Sequence, residues 1–213
     1  MCIRDSHYAC RKGHLSVVRM LVSEYKADLN ARANHNETPL NEAALYGQTN
    51  VVQCLIDEFS CSADTKGFEG RTILHHVCNT GHVELAETLL TCYNLDPFSV
   101  DDNWNTPLHL AAFSGRSEVV KMLITKYKCP VDFRNNSKRT PLYYACCKGH
   151  LSVVRMLVSE HKADLNACAN DNETLLNEAA WCGQTNVVQC LICLLYTSPS
   201  PRDATLSRMP SSA

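Results

Sequence analysis

The chain has 213 residues, with 20 Lys and Arg against 22 Asp and Glu and a formal net charge of −2. That balance excludes an electrostatic nucleic-acid binder, which needs a clustered excess of Lys and Arg. No apolar run approaches the roughly 20 residues of a membrane span, so no membrane insertion of this segment is expected.

In chain order, residues 7–37 carry Ala9-Cys10, Gly13 and the apolar run Val17-Val18-Met20-Leu21-Val22. Residues 38–71 open on Thr38-Pro39-Leu40 and lead to Ala43-Ala44, Gly47 and Val51-Val52-Leu55-Ile56. Residues 72–105 open on Thr72-Ile73-Leu74-His75, then Gly81 and Leu85-Ala86-Leu89-Leu90. Residues 106–139 give Thr106-Pro107-Leu108-His109, Ala111-Ala112, Gly115 and Val119-Val120-Met122-Leu123-Ile124. Thr140-Pro141-Leu142 begins residues 140–173, and Thr174-Leu175-Leu176 begins residues 174–192. Thr38, Thr72, Thr106, Thr140 and Thr174 are each 34 residues apart. A fixed period of this length marks a stacked repeat protein, which presents surfaces and seldom carries chemistry.

Each part of the beat has a physical reading. The Thr hydroxyl can cap a helix, and Pro suits the first helical position. The small pair lets neighbouring helices approach closely. The Gly ends the first helix where a left-handed residue is needed. The apolar stripe that follows has the spacing of a second buried helix.

These residues resemble the ankyrin repeat, whose T-P-L-H-x-A signature stands at Thr106–Ala111. The resemblance spans residues 7–192, six units with the first and last incomplete. It implies an all-α solenoid of stacked helix-turn-helix units joined by extended turns. The period is one residue longer than the usual 33; the extra residue is expected after the second helix, as in Ser23–Lys26 and Thr125–Lys128. Asn41, Tyr143 and Asn177 depart from the His slot, and Ile73 and Leu175 replace the Pro.

The function this implies is non-catalytic protein binding on the concave face, without cofactor or metal and with the chain as a monomer. The groove slots are Arg11 and Lys12, Leu45 and Tyr46, Asn79 and Thr80, Phe113 and Ser114, Cys147 and Lys148, and Trp181 and Cys182. Phe68 and Trp104 add aromatic side chains at the turn tips. The alternative is a regulatory or substrate-recruiting segment of a larger enzyme or ion channel whose other domains lie outside this chain.

The ends depart from the beat. Back-translated, Met1–Ser6 contains, inverted, the DNA that encodes Cys193–Thr197. This element resembles the transposase end sequence used in preparing sequencing libraries, and Pro199–Asp203 and Ser207–Ala213 fit its adaptor continuation. Residues 1–6 and 193–213 are therefore expected to be adaptor-derived and excluded from the fold. Ser6 replaces the anchoring Leu of complete repeats, so the first helix is expected to be poorly held. The apolar residues after Ile192 should prolong the last helix by about a turn, and the stretch beyond Ser198 should be unpacked.

Residues 7–56 and 143–192 are the same text offset by 136, four beats, with eight differences. They are His7/Tyr143, Arg11/Cys147, Tyr25/His161, Arg32/Cys168, His35/Asp171, Pro39/Leu175, Leu45/Trp181 and Tyr46/Cys182. The apolar stripes are untouched. Selection on a surface and neutral drift at exposed sites both predict this; duplication is preferred over misassembly of related reads.

Of 13 cysteines, 11 lie in residues 7–192, some in slots where Ala is usual. They read as free thiols packed as small apolar residues, which points to a reducing, intracellular and cytoplasmic setting. A disulfide framework is disfavoured because Cys147, Cys168 and Cys182 arise singly and without partners. The C-x-x-C of Cys190–Cys193 uses an adaptor-derived Cys. His75 and His109 should hydrogen-bond their Thr and nearby backbone instead of binding metal. Asp101, Asp102, Asp171 and Glu173 are expected to be solvated.

Overall fold

A computed structural model describes residues 3–33, 36–170 and 173–197. The chain forms helix pairs: α1 (Ile3–Lys12) with α2 (Leu15–Ser23), α3 (Pro39–Leu45) with α4 (Thr49–Asp57), and α5 (Ile73–Thr80) with α6 (Val83–Thr91). Then follow α7 (Pro107–Phe113) with α8 (Ser117–Thr125), α9 (Pro141–Lys148) with α10 (Leu151–Arg155), and α11 (Leu175–Trp181) with α12 (Thr185–Thr197). A wide π turn, Met156–Glu160, continues α10. Among the described residues there is no strand, only an isolated bridge between Cys168 and Thr174. The architecture is the all-α solenoid that the beat implies.

The helix starts follow from the Thr. Its hydroxyl accepts the N–H three residues on, at 3.3 Å for Asn41 and 3.2 Å for both Tyr143 and Asn177. Pro39, Pro107 and Pro141 fill the first turn, where a missing N–H leaves nothing unpaired. In α5 and α7 a His closes the cap reciprocally. His75 Nδ1 accepts the Thr72 N–H at 3.3 Å, and His75 Nε2 lies 3.1 Å from the Asn105 carbonyl. His109 repeats this with Thr106, Phe133 and Arg139. These rings are neutral with Nε2–H as donor, and burial drives each pKa down to about 4.

The first helices of neighbouring units pack on one another to form one layer, and the second helices form the other. Ala43, Ala44, Ala111 and Ala112 are fully buried at the close approach, and Cys10, Cys78 and Cys146 fill the same slot as Ala44 and Ala112. Burial pushes the Cys10 and Cys146 thiols up to about 12, so they are inert packing groups. No described cysteine is in a disulfide.

Each Gly between paired helices has a positive φ, +69° at Gly47 and +92° at Gly81. Sterics add a second requirement. The first residue after the Gly of the next unit lies over it: a Cβ at Gly47 would sit 2.4 Å from the His82 ring, and one at Gly115 would sit 2.5 Å from His150. His150 Nε2 lies 2.9 Å from the Phe113 carbonyl, Arg116 Nε donates to Asn79 O at 3.1 Å, and Gln48 Nε2 donates to Arg11 O at 3.2 Å. These side chains staple successive units together. His82 and His150 are thus structural.

After each second helix, the chain closes through Ala27 N–H to Leu21 O, Cys61 to Leu55, Leu95 to Leu89, Cys129 to Leu123 and Ala163 to Leu157. This spans one residue more than the usual Schellman closure, at the place expected for the extra residue. The residue before each of these donors is left-handed: Lys26, Ser60, Asn94, Lys128 and Lys162. Asn36, Gly70, Trp104 and Lys138 form a third left-handed series at the turn tips. Only the first series, the glycines, carries the residue type that marks it in sequence.

Several expectations need correction. The first helix is complete: α1 starts at Ile3 and buries Ala9 and Cys10, and Ser6 is itself buried in the slot of Leu142. Packing on α3 supplies the anchor that Ser6 lacks. Asp101 is buried, not solvated; its carboxylate accepts the N–H groups of Asn103 and Asn105 at 2.9 and 2.8 Å, with Arg71 Nε at 3.6 Å. Glu173 accepts the Tyr143 hydroxyl at 3.0 Å. The last helix is prolonged as expected: α12 reaches Thr197, whereas α4 ends at Asp57, the counterpart of Cys193. His35, Asp171 and the stretch beyond Ser198 lie outside the described residues.

Candidate protein-interaction groove

The first helices and the turn tips enclose a groove. A cavity of about 940 Å³ lies over α1, α3 and α5 and the tips between them. Arg11, Leu45, Tyr46, Phe68 and Asn79, five of the residues expected from sequence, line it together. Tyr46 and Phe68 are about two-fifths exposed. His7, Tyr8, Glu42 and His76 also line it and are absent from the sequence expectation. They lie one helical turn before the expected slots, so the i−3 and i−4 neighbours of each groove slot would have found them.

The groove slots of successive units touch in rungs spaced 35 residues apart. The Arg11 guanidinium lies 4.4 Å over the Tyr46 ring. Ser114 donates to Asn79 Oδ1 at 2.7 Å. The Lys148 ammonium lies 4.6 Å over the Phe113 ring. Cys147 Sγ and Cys182 Sγ are 3.3 Å apart. This overturns the expectation that the two gained cysteines lack partners. They stand in the places of Arg11 and Tyr46, and stacking brings them together. Burial, then Cys182 and Glu178, pushes the Cys147 thiol up to about 12.

The remaining expected residues are not all in one place. Lys12 is exposed beside Tyr8, with its ammonium 5.8 Å from that ring. Thr80 turns its hydroxyl onto the His76 carbonyl at 3.0 Å and is a helix-end group more than a groove contact. Trp104 stands 53 % exposed at its tip with a φ of +62°, a strained setting for an aromatic side chain. Trp181 is 89 % exposed, so packing against a neighbouring unit is not its role among the described residues.

Beneath the cavity lies a buried polar cluster. Glu37 Oε1 accepts the Phe68 N–H at 3.1 Å and sits 3.3 Å from His76 Nε2, off the line of a hydrogen bond. Burial pushes the Glu37 carboxyl up, but the neighbouring His76 and the Phe68 N–H outweigh it and hold its pKa below the usual carboxylate range. Asn41 has both side-chain polar atoms buried without a hydrogen-bond partner. In the first unit His7 occupies the same slot as His75, with Nε2 3.0 Å from the Ala31 carbonyl. Arg4 stands where the capping Thr would be, and His7 Nδ1 finds no partner.

Among the described residues no helix is long and apolar enough to cross a membrane. No curated protein matches the chain. Family models described as ankyrin repeats in many copies match residues 6–56, and as ankyrin repeats in three copies match residues 59–135 and 126–203. With the capped helix pairs, the left-handed Gly turns and the stacked two-layer core, these matches show that the chain belongs to the ankyrin-repeat family.

Proposed function

We propose that the chain binds a protein segment in the groove over α1, α3 and α5, with Tyr46 and Phe68 as anchors and Arg11 as the cation. Ankyrin repeats generally serve as non-catalytic protein–protein interaction modules. The observation that carries the proposal is the cavity of about 940 Å³ that gathers partly exposed aromatic rings and arginines from three successive units. Aromatic and Arg side chains in such settings supply most interface energy. The mixture of ring faces and guanidinium groups suits a segment presenting apolar side chains beside carboxylates.

Peptides selected from a displayed library against the chain test this. Tyr46→Ala and Phe68→Ala are each expected to weaken the selected peptides about tenfold. Lys121→Ala, an exposed change on α8 in the second layer, should leave binding unchanged. Equal loss from Lys121→Ala, or none from the two aromatic substitutions, overturns the proposal.

A further inference from the structure

The rung between α9 and α11 differs in chemistry from every other rung of the groove. Cys147 Sγ lies 3.3 Å from Cys182 Sγ, and Cys182 Sγ lies 3.6 Å from Glu178 Oε1. The three donor atoms all fall within 4.8 Å of one another, and all three residues are partly exposed. Cys182 caps the end of α11 (Leu175–Trp181), one turn after Glu178, which brings the two side chains together. Cys147 comes from the facing helix of the previous unit. We propose that Cys147, Cys182 and Glu178 form a binding site for a thiophilic divalent cation of the zinc class, with water as the fourth ligand.

Two observations favour a cation. The first is the geometry. Metal–sulfur bonds of about 2.3 Å and metal–oxygen bonds of about 2.1 Å at tetrahedral angles separate the sulfurs by about 3.8 Å and place sulfur and oxygen about 3.6 Å apart. The sulfurs need move apart by only about 0.5 Å to reach this arrangement. A disulfide would require them to close by more than 1 Å, to about 2.0 Å. The second is charge. The counterpart trio in the first copy is Arg11, Glu42 and Tyr46, where a guanidinium lies against the ring and all three residues line one cavity. The second copy keeps the Glu and loses the Arg. No Lys, Arg or His nitrogen lies within ion-pair distance of Glu178 among the described residues. A bound dication replaces the two thiol protons, leaves the net charge of the site at −1, and gives the Glu178 carboxylate the direct cationic partner that the Arg-to-Cys change removed, with both new side chains as ligands. Binding forms two metal–thiolate bonds and one metal–carboxylate bond and releases the two thiol protons to water, with no oxidant or reductant involved.

Titration of the reduced chain with Co²⁺ tests the site through the thiolate-to-cobalt charge-transfer absorption. One equivalent is expected to give the intensity of two thiolates, and Zn²⁺ should displace it. Cys147→Ser or Cys182→Ser should each halve the band and weaken binding about tenfold or more. Glu178→Gln should weaken binding while leaving both thiolate contributions. The paired change Cys147→Arg with Cys182→Tyr restores the first-copy rung, so it should keep the fold and abolish the band. Cys190→Ser, in the nearby C-x-x-C, should leave the band unchanged. A band that survives the paired change, one lost with Cys190→Ser, or no band in the reduced chain overturns the site. So does formation of a Cys147–Cys182 disulfide at an equal rate with and without one equivalent of Zn²⁺.

Discussion

Residues 7–56 and 143–192 are nearly one text read in two places. Val17 is 37 % exposed, whereas Val153, its counterpart, is fully buried. Leu21 is partly buried and Leu157 wholly so. The unit at residues 140–173 has described neighbours on both sides, with α10 packed against α8 and α12, while α2 packs in its layer against α4 on one side among the described residues. Even backbone form differs: Leu15–Ser23 is a regular helix, whereas the same letters from Leu151 pass into a π turn at Met156. In a stacked array a residue acquires its burial from the unit next door, so its energetic weight depends on position in the stack and not on its own letters.

Four measurements test whether position in the stack, and not the letters, sets these differences. The largest effect is expected from truncating the paired leucines. Leu157→Ala should cost about 2–5 kcal/mol by chemical denaturation and Leu21→Ala less than half as much; equal costs would refute the neighbour account. Next is acidification, which acts on the units between the copies. The unfolded chain binds protons on His75 and His109 near the ordinary value of about 6.5, while the folded rings bind them only near 4. Stability is therefore full above pH 6.5 and falls as pH drops from 6.5 to 4, by up to about 3 kcal/mol per ring. His75→Asn, which installs the residue found at Asn41 and Asn177, should flatten that slope in a urea-denaturation series across pH.

A smaller effect separates two equivalent glycines. Both Gly47 and Gly183 are left-handed, but a Cβ meets the His82 ring at Gly47 and nothing within 4 Å at Gly183. Gly183→Ala should cost only the backbone term, about 1 kcal/mol, and Gly47→Ala distinctly more. The smallest concerns the rung that the second copy lost: Arg11→Met should cost about 0.5–1 kcal/mol by removing the cation over Tyr46. In a chain that already carries Tyr46→Ala, the same change should cost close to nothing.

Much of the fold was legible because its signals are local. Thr before a helix, Pro at its first turn and Gly at its end act within four residues of themselves, and a 34-residue beat repeats them in phase. The groove slots beside the Gly could be found the same way. What escaped carries no mark of its own in the residue types. The side chains that staple one unit to the Gly turn of the last reach across 37 residues, and Asp101 meets Arg71, 30 residues away, besides its own turn. The left-handed Lys and Ser positions close within their own unit, but Lys and Ser do not announce that geometry as Gly does. The groove contribution of His76 and Glu42 was missed for a related reason, since a groove is lined by a helix face and not by one slot.

Sequence alone determined the repeat, its capped helix pairs, the stripe each second helix buries and the inert character of the packed cysteines. Short-range sterics and hydrogen bonding decide the helix starts and ends within a single unit, and apolar periodicity marks the stripe, whose depth of burial the next unit sets. Which partners face each other across units emerges from the stacked fold: Arg11 with Tyr46 in one copy, Cys147 with Cys182 in the other. Those pairs are set by the rise and rotation from one unit to the next, which bring residues 35 apart into contact and leave no trace in the spacing of either residue from its own neighbours.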